Sequence, residues 1–404
     1  MEKIDENGRR KMWNAVVFGV LLFLYSCMTY LLFYRQAIEY QGIYYSDMKA
    51  YILETRGLES GYDFPYPLFF WISRIWMLVL SPESAVAFTT MLLNSLGILI
   101  LKIYFDRRAP RQPFLCTLAV FSVFFMSMIY SPRGHSFWGF DYIYRCMGIL
   151  TPNPYWNATY LAVRPFTVLA FFQTAEILQE YEDNFSWKKG IWLGAAVFLA
   201  TFTKPSFTQV YLPVLGIILL YRLFRKKFKN FKNTFFLCCC LIPTGLLLLY
   251  QFFGVFTGTN SKGEETGIGF EVGKAWQVYS DNIPLSLVMA LAFPAAVLIL
   301  NVFSLRKNHE LRLAWQIWLA GFLSFLCLYE KGFRFSHMNF SWGYMHGLFF
   351  VFALSVLQLL KSLSGKERLE KLKAVPELIL FFYHLICGII FFVYLYQGNN
   401  AGWF

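Results

Sequence analysis

The stretch from Pro65 to Leu80, PYPLFFWISRIWMLVL, decides how often the chain crosses a membrane. It is apolar enough to span a bilayer, but it is short and carries Arg74. If this segment lies on the membrane surface, 24 of the 36 Lys and Arg residues fall on one side. If it crosses, every later loop changes side and 12 basic residues remain there. Because cytoplasmic loops carry an excess of Lys and Arg, the count predicts that the segment does not cross.

The remaining apolar runs predict an all-α polytopic membrane protein, with residues 1–404 forming a single transmembrane domain. The composition agrees, because 57% of the residues are hydrophobic and 15% are charged, whereas soluble domains carry about 25% charged residues. Eleven spans are predicted, at 13–34, 83–105, 113–131, 157–179, 189–203, 207–224, 233–253, 284–305, 311–328, 341–361 and 374–396. The expected location is the plasma membrane, with a cytoplasmic N-terminus and an external C-terminus.

The net charge of +12 raises the question of a nucleic-acid partner. The basic residues, however, occur in short clusters between apolar runs, which is the pattern of cytoplasmic loops. We therefore expect contacts with membrane lipids and no nucleic-acid partner. The long external loops are predicted at 35–82, 132–156 and 257–283, and chemistry is expected there.

The first external loop, 35–82, is predicted to contain interfacial helices. Ser46 is a suitable N-cap, and Gly57 ends a helical pattern whose inward-facing positions are Met48, Tyr51, Ile52 and Thr55. Asp47 falls in the first turn, where free N–H groups and the helix dipole favour an ionised carboxylate. Such a group can accept a proton from an incoming hydroxyl, or position it. The alternative is that Asp47 only caps the helix.

Three features in order resemble one enzyme family. Asp47 follows the first span, and the stretch Tyr66–Trp71, which combines a proline with aromatic residues, is followed by Ile75–Leu78. Gly194–Phe207, GAAVFLATFTKPSF, is typical of two paired helices with a lysine at their external turn. Together these features resemble the C-type membrane glycosyltransferases, the superfamily of protein mannosyltransferases, lipid A aminoarabinose transferase and oligosaccharyltransferase catalytic subunits. The matches cover about the first 225 residues.

The resemblance implies a glycosyltransferase that moves a sugar from a polyprenyl-phosphate donor to a lipid or glycan acceptor on the external face. It also implies that Asp47 is the catalytic base or the group that positions the acceptor. We expect an inverting, metal-independent reaction that needs no cofactor. Met48 stands where many members carry a second acid, and Tyr66 stands where several carry lysine before the interfacial proline. Phosphate binding must therefore be met elsewhere.

An anionic donor requires cations near the external membrane surface, because Arg and Lys supply charge and donors to phosphate oxygens. Three basic residues lie where few are expected: Lys204 before Pro205, Arg164 near the end of the fourth span, and Arg74 in the stretch Pro65–Leu80. A basic residue near the end of a span indicates a functional site. The alternative is that these side chains extend to lipid headgroups.

Two further loops offer contacts to a sugar or acceptor. In the second external loop the candidates are Trp138, Asp141, Arg145 and Tyr155, since aromatic faces with interleaved polar groups suit sugar rings. An interfacial aromatic belt has the same composition. The short loop after the ninth span contributes His337 and Asn339, together with Glu330 and Arg334.

Other functions remain open from the sequence. A polysaccharide polymerase or ligase that uses lipid-diphosphate glycans also combines basic external loops with polyprenyl carriers. A lipid or glycan flippase is a further alternative, although such transporters often show repeated halves and ionisable residues near the midplane. The ionisable residues of this chain lie near the ends of its predicted spans.

Overall fold

The structure is a computed structural model, and it describes residues 6–39, 46–62, 64–130, 136–137, 140–141, 150–256, 266–302, 307–365 and 368–399. The helices are α1 (Glu6–Ile38), α2 (Met48–Arg56), α3 (Leu68–Trp76), α4 (Pro82–Arg108), α5 (Pro113–Phe125), α6 (Ala158–Ala162), α7 (Arg164–Glu180), α8 (Trp187–Thr203), α9 (Ser206–Arg225), α10 (Phe231–Phe256), α11 (Lys274–Gln277), α12 (Ile283–Leu300), α13 (His309–Cys327), α14 (Ser341–Ser364) and α15 (Arg368–Tyr396). Two short antiparallel pairs join β1 (Ser136–Phe137) to β2 (Phe140–Asp141) and β3 (Ile268–Phe270) to β4 (Leu328–Glu330).

Within the described residues, seven helical segments are long and apolar enough to cross a membrane: Lys11–Ile38, Pro82–Arg108, Ser206–Arg225, Phe231–Phe256, Ile283–Leu300, Gly332–Ser364 and Lys371–Tyr396. Their surfaces carry many exposed large apolar side chains, as lipid-facing helices do. This is the architecture of a multi-pass membrane protein. The other four predicted spans contain helices that are shorter or more polar: α5, α6 with α7, α8 and α13.

The helix α14 forms the centre of the bundle and is buried along most of its length. The helix α13 approaches it closely because glycines lie at the contact. A Cβ atom on Gly347 would lie 2.4 Å from Trp318 Cα, and one on Gly321 would lie 2.7 Å from Tyr344 Cα. Small residues at such crossings let helices pack tightly where no hydrophobic effect drives association in lipid.

The segment around 65–80 contains only the nine-residue α3, followed by turns. A helix of nine residues is about 14 Å long, whereas the hydrocarbon core of a bilayer is about 30 Å thick. The length of α3 therefore agrees with the prediction that this segment does not cross.

The helix predicted in the first loop is present as α2. Its buried residues are the predicted ones, Met48, Tyr51, Ile52 and Thr55. Gly57 ends it in the left-handed conformation, with φ of 73°. The start differs by one residue, because Asp47 occupies the N-cap position and Ser46 Oγ accepts from Met48 N at 3.4 Å.

Helix ends that are distant in sequence meet at two ends of the bundle. Arg108, in the last turn of α4, donates to Glu310 at the start of α13 at 2.7 Å and lies 3.4 Å from Glu176 near the end of α7. At the other end, Arg35 of α1 donates to the carbonyl of Tyr396 at 2.7 Å. We call the end of the bundle that contains Arg108, Glu176 and Glu310 the basic end.

Candidate functional site

The site is a cavity of about 750 Å³ formed by six parts of the chain. They are the start of α2 with Tyr62 and residues 64–66, residues 156–157, the turn between α8 and α9, the end of α10, residues 278–279, and residues 330–342. Pockets of this volume are typical of small-molecule sites. The cavity therefore brings together the first loop, the α8–α9 turn and the short loop that were predicted separately.

Asp47 and Lys204 meet at this cavity through one side chain. Asn157 Nδ2 donates to Asp47 Oδ2 at 2.6 Å, and Lys204 Nζ donates to Asn157 Oδ1 at 3.4 Å. Asn157 is itself fixed, because it is the N-cap of α6 and its Oδ1 accepts from Tyr160 N at 2.9 Å. The amide orientation therefore presents a donor to the carboxylate and an acceptor to the ammonium group.

Tyr51 also contacts the Asp47 carboxylate. Its hydroxyl donates to Asp47 Oδ2 at 3.2 Å and accepts from Asn157 Nδ2 at 2.9 Å. Burial, together with the nearby Asp47 charge, raises the pKa of Tyr51 well above its usual value. The hydroxyl is therefore a permanent donor. Asp47 itself is exposed, so its carboxylate is accessible from the cavity.

Lys204 lies in the short connection between α8 and α9. It follows α8 in an extended conformation, with φ of −165°, and Pro205 then begins the turn into α9. Its side chain is 6% exposed, and burial lowers its pKa to about 8 while the charge of Asp47 opposes that shift. Nζ lies 5.7 Å from the ring centre of Tyr66 and 4.7 Å from that of Trp342. Among the described residues, no carboxylate lies within ion-pair distance of Lys204.

Arg164, predicted to bind phosphate, does not line the cavity. It is 1% exposed, and its guanidinium donates to Asn94 Oδ1 at 3.0 Å, Pro152 O at 2.9 Å and Asn153 Oδ1 at 2.5 Å. Three aromatic rings surround it. The prediction placed Arg164 at the end of a span, but α6 precedes it and covers it. Arg164 therefore stabilises the interior.

Arg74 and Tyr155 also lie away from the cavity. Arg74 donates to the carbonyl oxygens of Thr55 at 3.0 Å and Glu54 at 2.8 Å, and so ties α3 to the end of α2. The hydroxyl of Tyr155 lies 2.8 Å from that of Tyr25, deep in the core. Both side chains are used in packing because the loops that carry them fold back onto the bundle.

The other predicted residues divide into two groups. Trp138 and Arg145 lie outside the described residues, and of Asp141 only the backbone, in β2, is described. His337 and Asn339 do line the cavity, on the same wall as Glu330 and Arg334. The structure therefore brings the short loop to the cavity.

Glu330 is a buried carboxyl group on this wall. Asn339 Nδ2 donates to its Oε2, and Arg334 Nη1 lies 3.9 Å from its Oε1. Burial raises the pKa of Glu330 to about 7, although Arg334 and Asn339 oppose the shift. The group can therefore exist in both protonation states near neutral pH.

Sequence reasoning assigned no role to Asn157, Trp342 or Gln251. Gln251 of α10 donates to the carbonyl oxygens of Pro65 at 2.9 Å and Thr201 at 3.0 Å, which holds the first loop against α8. Its signal is a lone amide within an otherwise apolar run. Asn157 carries the signal of an N-cap residue before an apolar helix.

A second, apolar groove adjoins the cavity on the surface of α10. Its volume is about 480 Å³, and its lining residues are Ile242, Gly245, Leu246, Leu248, Leu249 and Phe252. Leu248 and Phe252 also line the cavity. The cavity and the apolar groove on the outside of the bundle are therefore neighbours, with Leu248 and Phe252 between them.

Comparison with known proteins identifies no relative. No protein-family model matches the chain, and no curated protein matches it. Among the described residues, no three His, Cys, Asp or Glu side chains are grouped as metal ligands. The chemistry must therefore be argued from the cavity itself.

Proposed function

We propose that this protein is an integral membrane glycosyltransferase that moves a sugar from a polyprenyl-phosphate donor to a lipid or glycan acceptor. The observation that carries the proposal is the meeting of Asp47 and Lys204 at one cavity, with Asn157 between them. Transfer to a hydroxyl requires a group that takes its proton and a cation that stabilises the departing phosphate. The cavity supplies one of each.

Lys204 would bind the phosphate of the donor. It is buried, and its hydrogen-bond partners among the described residues are neutral oxygens of Asn157 and Thr159. An anion in the cavity therefore gains a strong charge interaction at little cost in competing ion pairs. A bound phosphate would also keep the ammonium group protonated, since opposite charge raises the pKa of an amine.

Asp47 would accept the proton of the acceptor hydroxyl as its oxygen attacks the anomeric carbon. The bond from that carbon to the phosphate oxygen breaks with both electrons on the phosphate, which Lys204 stabilises. Attack from the side opposite the leaving group inverts the anomeric centre. Tyr51 and Asn157 hold the carboxylate for this role.

The apolar groove on α10 supports a lipid-linked donor. A polyprenyl chain is entirely hydrocarbon, and the groove lies next to the cavity on a helix whose surface is largely exposed. A water-soluble nucleotide sugar would gain nothing from such a groove.

The full topology belongs to the same proposal. Eleven spans, with α2 and α3 in the membrane interface, would place the cavity outside and the basic end in the cytoplasm. The grouping of Arg108, Glu176 and Glu310 at one end supports this arrangement, because these residues flank loops with many basic residues. It also leaves the N-terminus in the cytoplasm of a plasma-membrane protein.

Donor binding and sugar transfer by the purified protein test the proposal. Short-chain polyprenyl phosphates carrying a labelled sugar would be incubated with the protein and a membrane extract as the source of acceptor. We expect transfer by the wild type and loss of transfer in Asp47→Asn and Lys204→Met. Glu59→Gln, exposed in the same loop, and Lys188→Met, exposed at the other end of α8, serve as matched controls.

The number of phosphates on the lipid donor distinguishes the proposed glycosyltransferase from its main alternative, a polymerase or ligase. Transfer from a lipid-diphosphate glycan but not from the monophosphate sugar would indicate a polymerase or ligase. Movement of a labelled lipid across vesicles without chemical transfer would indicate a flippase. Unchanged transfer by Asp47→Asn would remove the catalytic assignment.

A further inference from the structure

Glu330 is a carboxyl group of the cavity that the proposed reaction does not use. It ends β4, is 4% exposed, and lines the cavity on the wall formed by residues 330–342. A buried carboxyl group is costly unless something compensates for it. In the described structure its compensation is partial: an amide hydrogen bond from Asn339 and the guanidinium of Arg334 at 3.9 Å.

The partners of Glu330 connect it to the phosphate end of the cavity. Trp342 Nε1 donates to Asn339 Oδ1 at 3.2 Å, which fixes the amide so that its nitrogen faces Glu330. The ring of the same tryptophan lies 4.7 Å from Lys204 Nζ. One indole therefore contacts the cation and anchors the Glu330–Asn339 pair.

We propose that Glu330 binds hydroxyl groups of the transferred sugar and sets which sugar is accepted, with Asn339 as its positioning residue. The inference rests on the proposed function, since it assumes a phosphate at Lys204. A sugar attached to that phosphate would lie beside Trp342, whose ring can contact the C–H face of a pyranose. Its hydroxyls could then donate to Glu330, because a carboxylate has lone pairs beyond the one that Asn339 occupies.

Such hydrogen bonds discriminate strongly between ligands. A site that is built to bond a hydroxyl rejects an analogue that lacks it, because the buried polar group is then left unpaired. Hydrogen bonds to charged groups are also the stronger ones. Glu330 would therefore contribute to sugar recognition, whereas Lys204 would contribute equally to any lipid phosphate.

The experiment compares two ligands that differ only in the sugar. The probes are methyl citronellyl phosphate, a sugar-free diester that carries one charge, and the glucosyl, mannosyl and galactosyl diesters of citronellyl phosphate, which carry the same charge. The sugar ester that the wild type binds most tightly is used throughout. We expect Glu330→Gln to weaken binding of this ester about tenfold or more, while binding of the sugar-free methyl citronellyl phosphate changes less than twofold. Glu271→Gln, whose side chain is 57% exposed, is the matched control and should change neither.

The affinity for the sugar ester divided by the affinity for the sugar-free ligand should depend on pH if Glu330 binds the sugar. A merely structural role of Glu330 would not make this ratio depend on pH. Arg334 faces Glu330 directly, and Tyr66, Asp47, Lys204 and His337 are further ionisable groups on the cavity. A trend caused by His337 would persist in Glu330→Gln, whereas one caused by Glu330 would be lost. Titration of Lys204 affects both ligands and cancels in the ratio. As the pKa of Glu330 is about 7, the advantage of the sugar ester should grow as pH rises through 7. In Glu330→Gln it should be constant.

Each outcome decides one of the two proposals. If the wild type binds neither ligand, or Lys204→Met binds both normally, the proposed function fails. If lipid phosphate binding depends on Lys204 but Glu330→Gln leaves the ratio and its pH dependence unchanged, only the role of Glu330 fails. If Glu330→Gln does not fold, Asn339→Ala replaces it and should reduce the ratio in the same direction. Sugar esters that each lack one hydroxyl then identify the group that Glu330 binds. Removal of that hydroxyl should lower the affinity of the wild type but should leave the affinity of Glu330→Gln unchanged.

Discussion

Two buried cations, Lys204 and Arg164, show how one sequence signal leads to two different structural roles. Both were candidates for phosphate binding, and both are nearly inaccessible, at 6% and 1% exposure. Arg164 lies in a closed cage of two asparagines, a backbone carbonyl and three rings. Lys204 has two neutral oxygen partners and borders a cavity. Both cations donate to neutral oxygens, so the difference teaches that contact with a cavity, and not burial, indicates whether a buried charge can bind a ligand.

The largest expected effect is the loss of activity when Lys204 is replaced. Lys204→Met should lower the transfer rate about 100- to 1,000-fold, which is the usual effect of removing a group that stabilises developing negative charge. Its thermal unfolding should stay close to that of the wild type, because no carboxylate among the described residues loses an ion pair. The measurement is transfer by purified protein, with the melting temperature as a check. If Lys204→Met instead lowered the melting temperature as well as the transfer rate, Lys204 would have a structural role like that of Arg164.

Arg164→Met should have the opposite effect. The change leaves buried side-chain oxygens of Asn94 and Asn153 without the donor that Arg164 supplies, and it leaves Pro152 O with the longer hydrogen bond from Tyr160 at 3.5 Å. Each such loss costs about 1–3 kcal/mol, so we expect about 3 kcal/mol or more of destabilisation. Thermal unfolding in detergent would measure it. Protein of unchanged melting temperature that fails to bind lipid phosphate would instead show that Arg164 acts on the ligand.

Asn157→Asp would give Lys204 a carboxylate as a hydrogen-bond partner. The aspartate keeps the acceptor that caps α6, but it loses the donors to Asp47 and Tyr51 and places a carboxylate beside Lys204. We expect affinity for sugar-free citronellyl phosphate to fall about tenfold, since the ammonium group gains a competing partner. Stability should fall as well, because the new carboxylate would lie against Asp47 Oδ2, where Asn157 Nδ2 now donates at 2.6 Å. Gln209→Glu, elsewhere on the cavity, controls for added charge.

Much of this arrangement followed from the sequence, and the remainder depends on long-range packing. The pattern from Ser46 to Gly57 located α2 and its buried face, because capping and helical periodicity are local properties. The break at Pro205 located the turn that carries Lys204 for the same reason. Arg164 and Tyr155 could not be assigned in this way. Their environment is built by residues far away in the chain, such as Asn94 and Tyr25, and a single sequence does not show which distant residues meet.

The smallest effect, and the one that separates the two cations most directly, is their response to pH. The pKa of Lys204 is about 8, below the usual 10.5, so between pH 8 and 10.5 the unfolded chain binds a proton that the folded protein does not. Stability contributed by this group therefore rises with pH across that window. Affinity for lipid phosphate should fall over the same range, because the ammonium group that binds it is lost. Arg164, with a guanidinium that does not titrate there, predicts neither trend. The pH dependence of melting and of citronellyl phosphate binding in wild type and Lys204→Met therefore decides whether the cavity has one titrating cation. Trends that persist in Lys204→Met would assign them to another group.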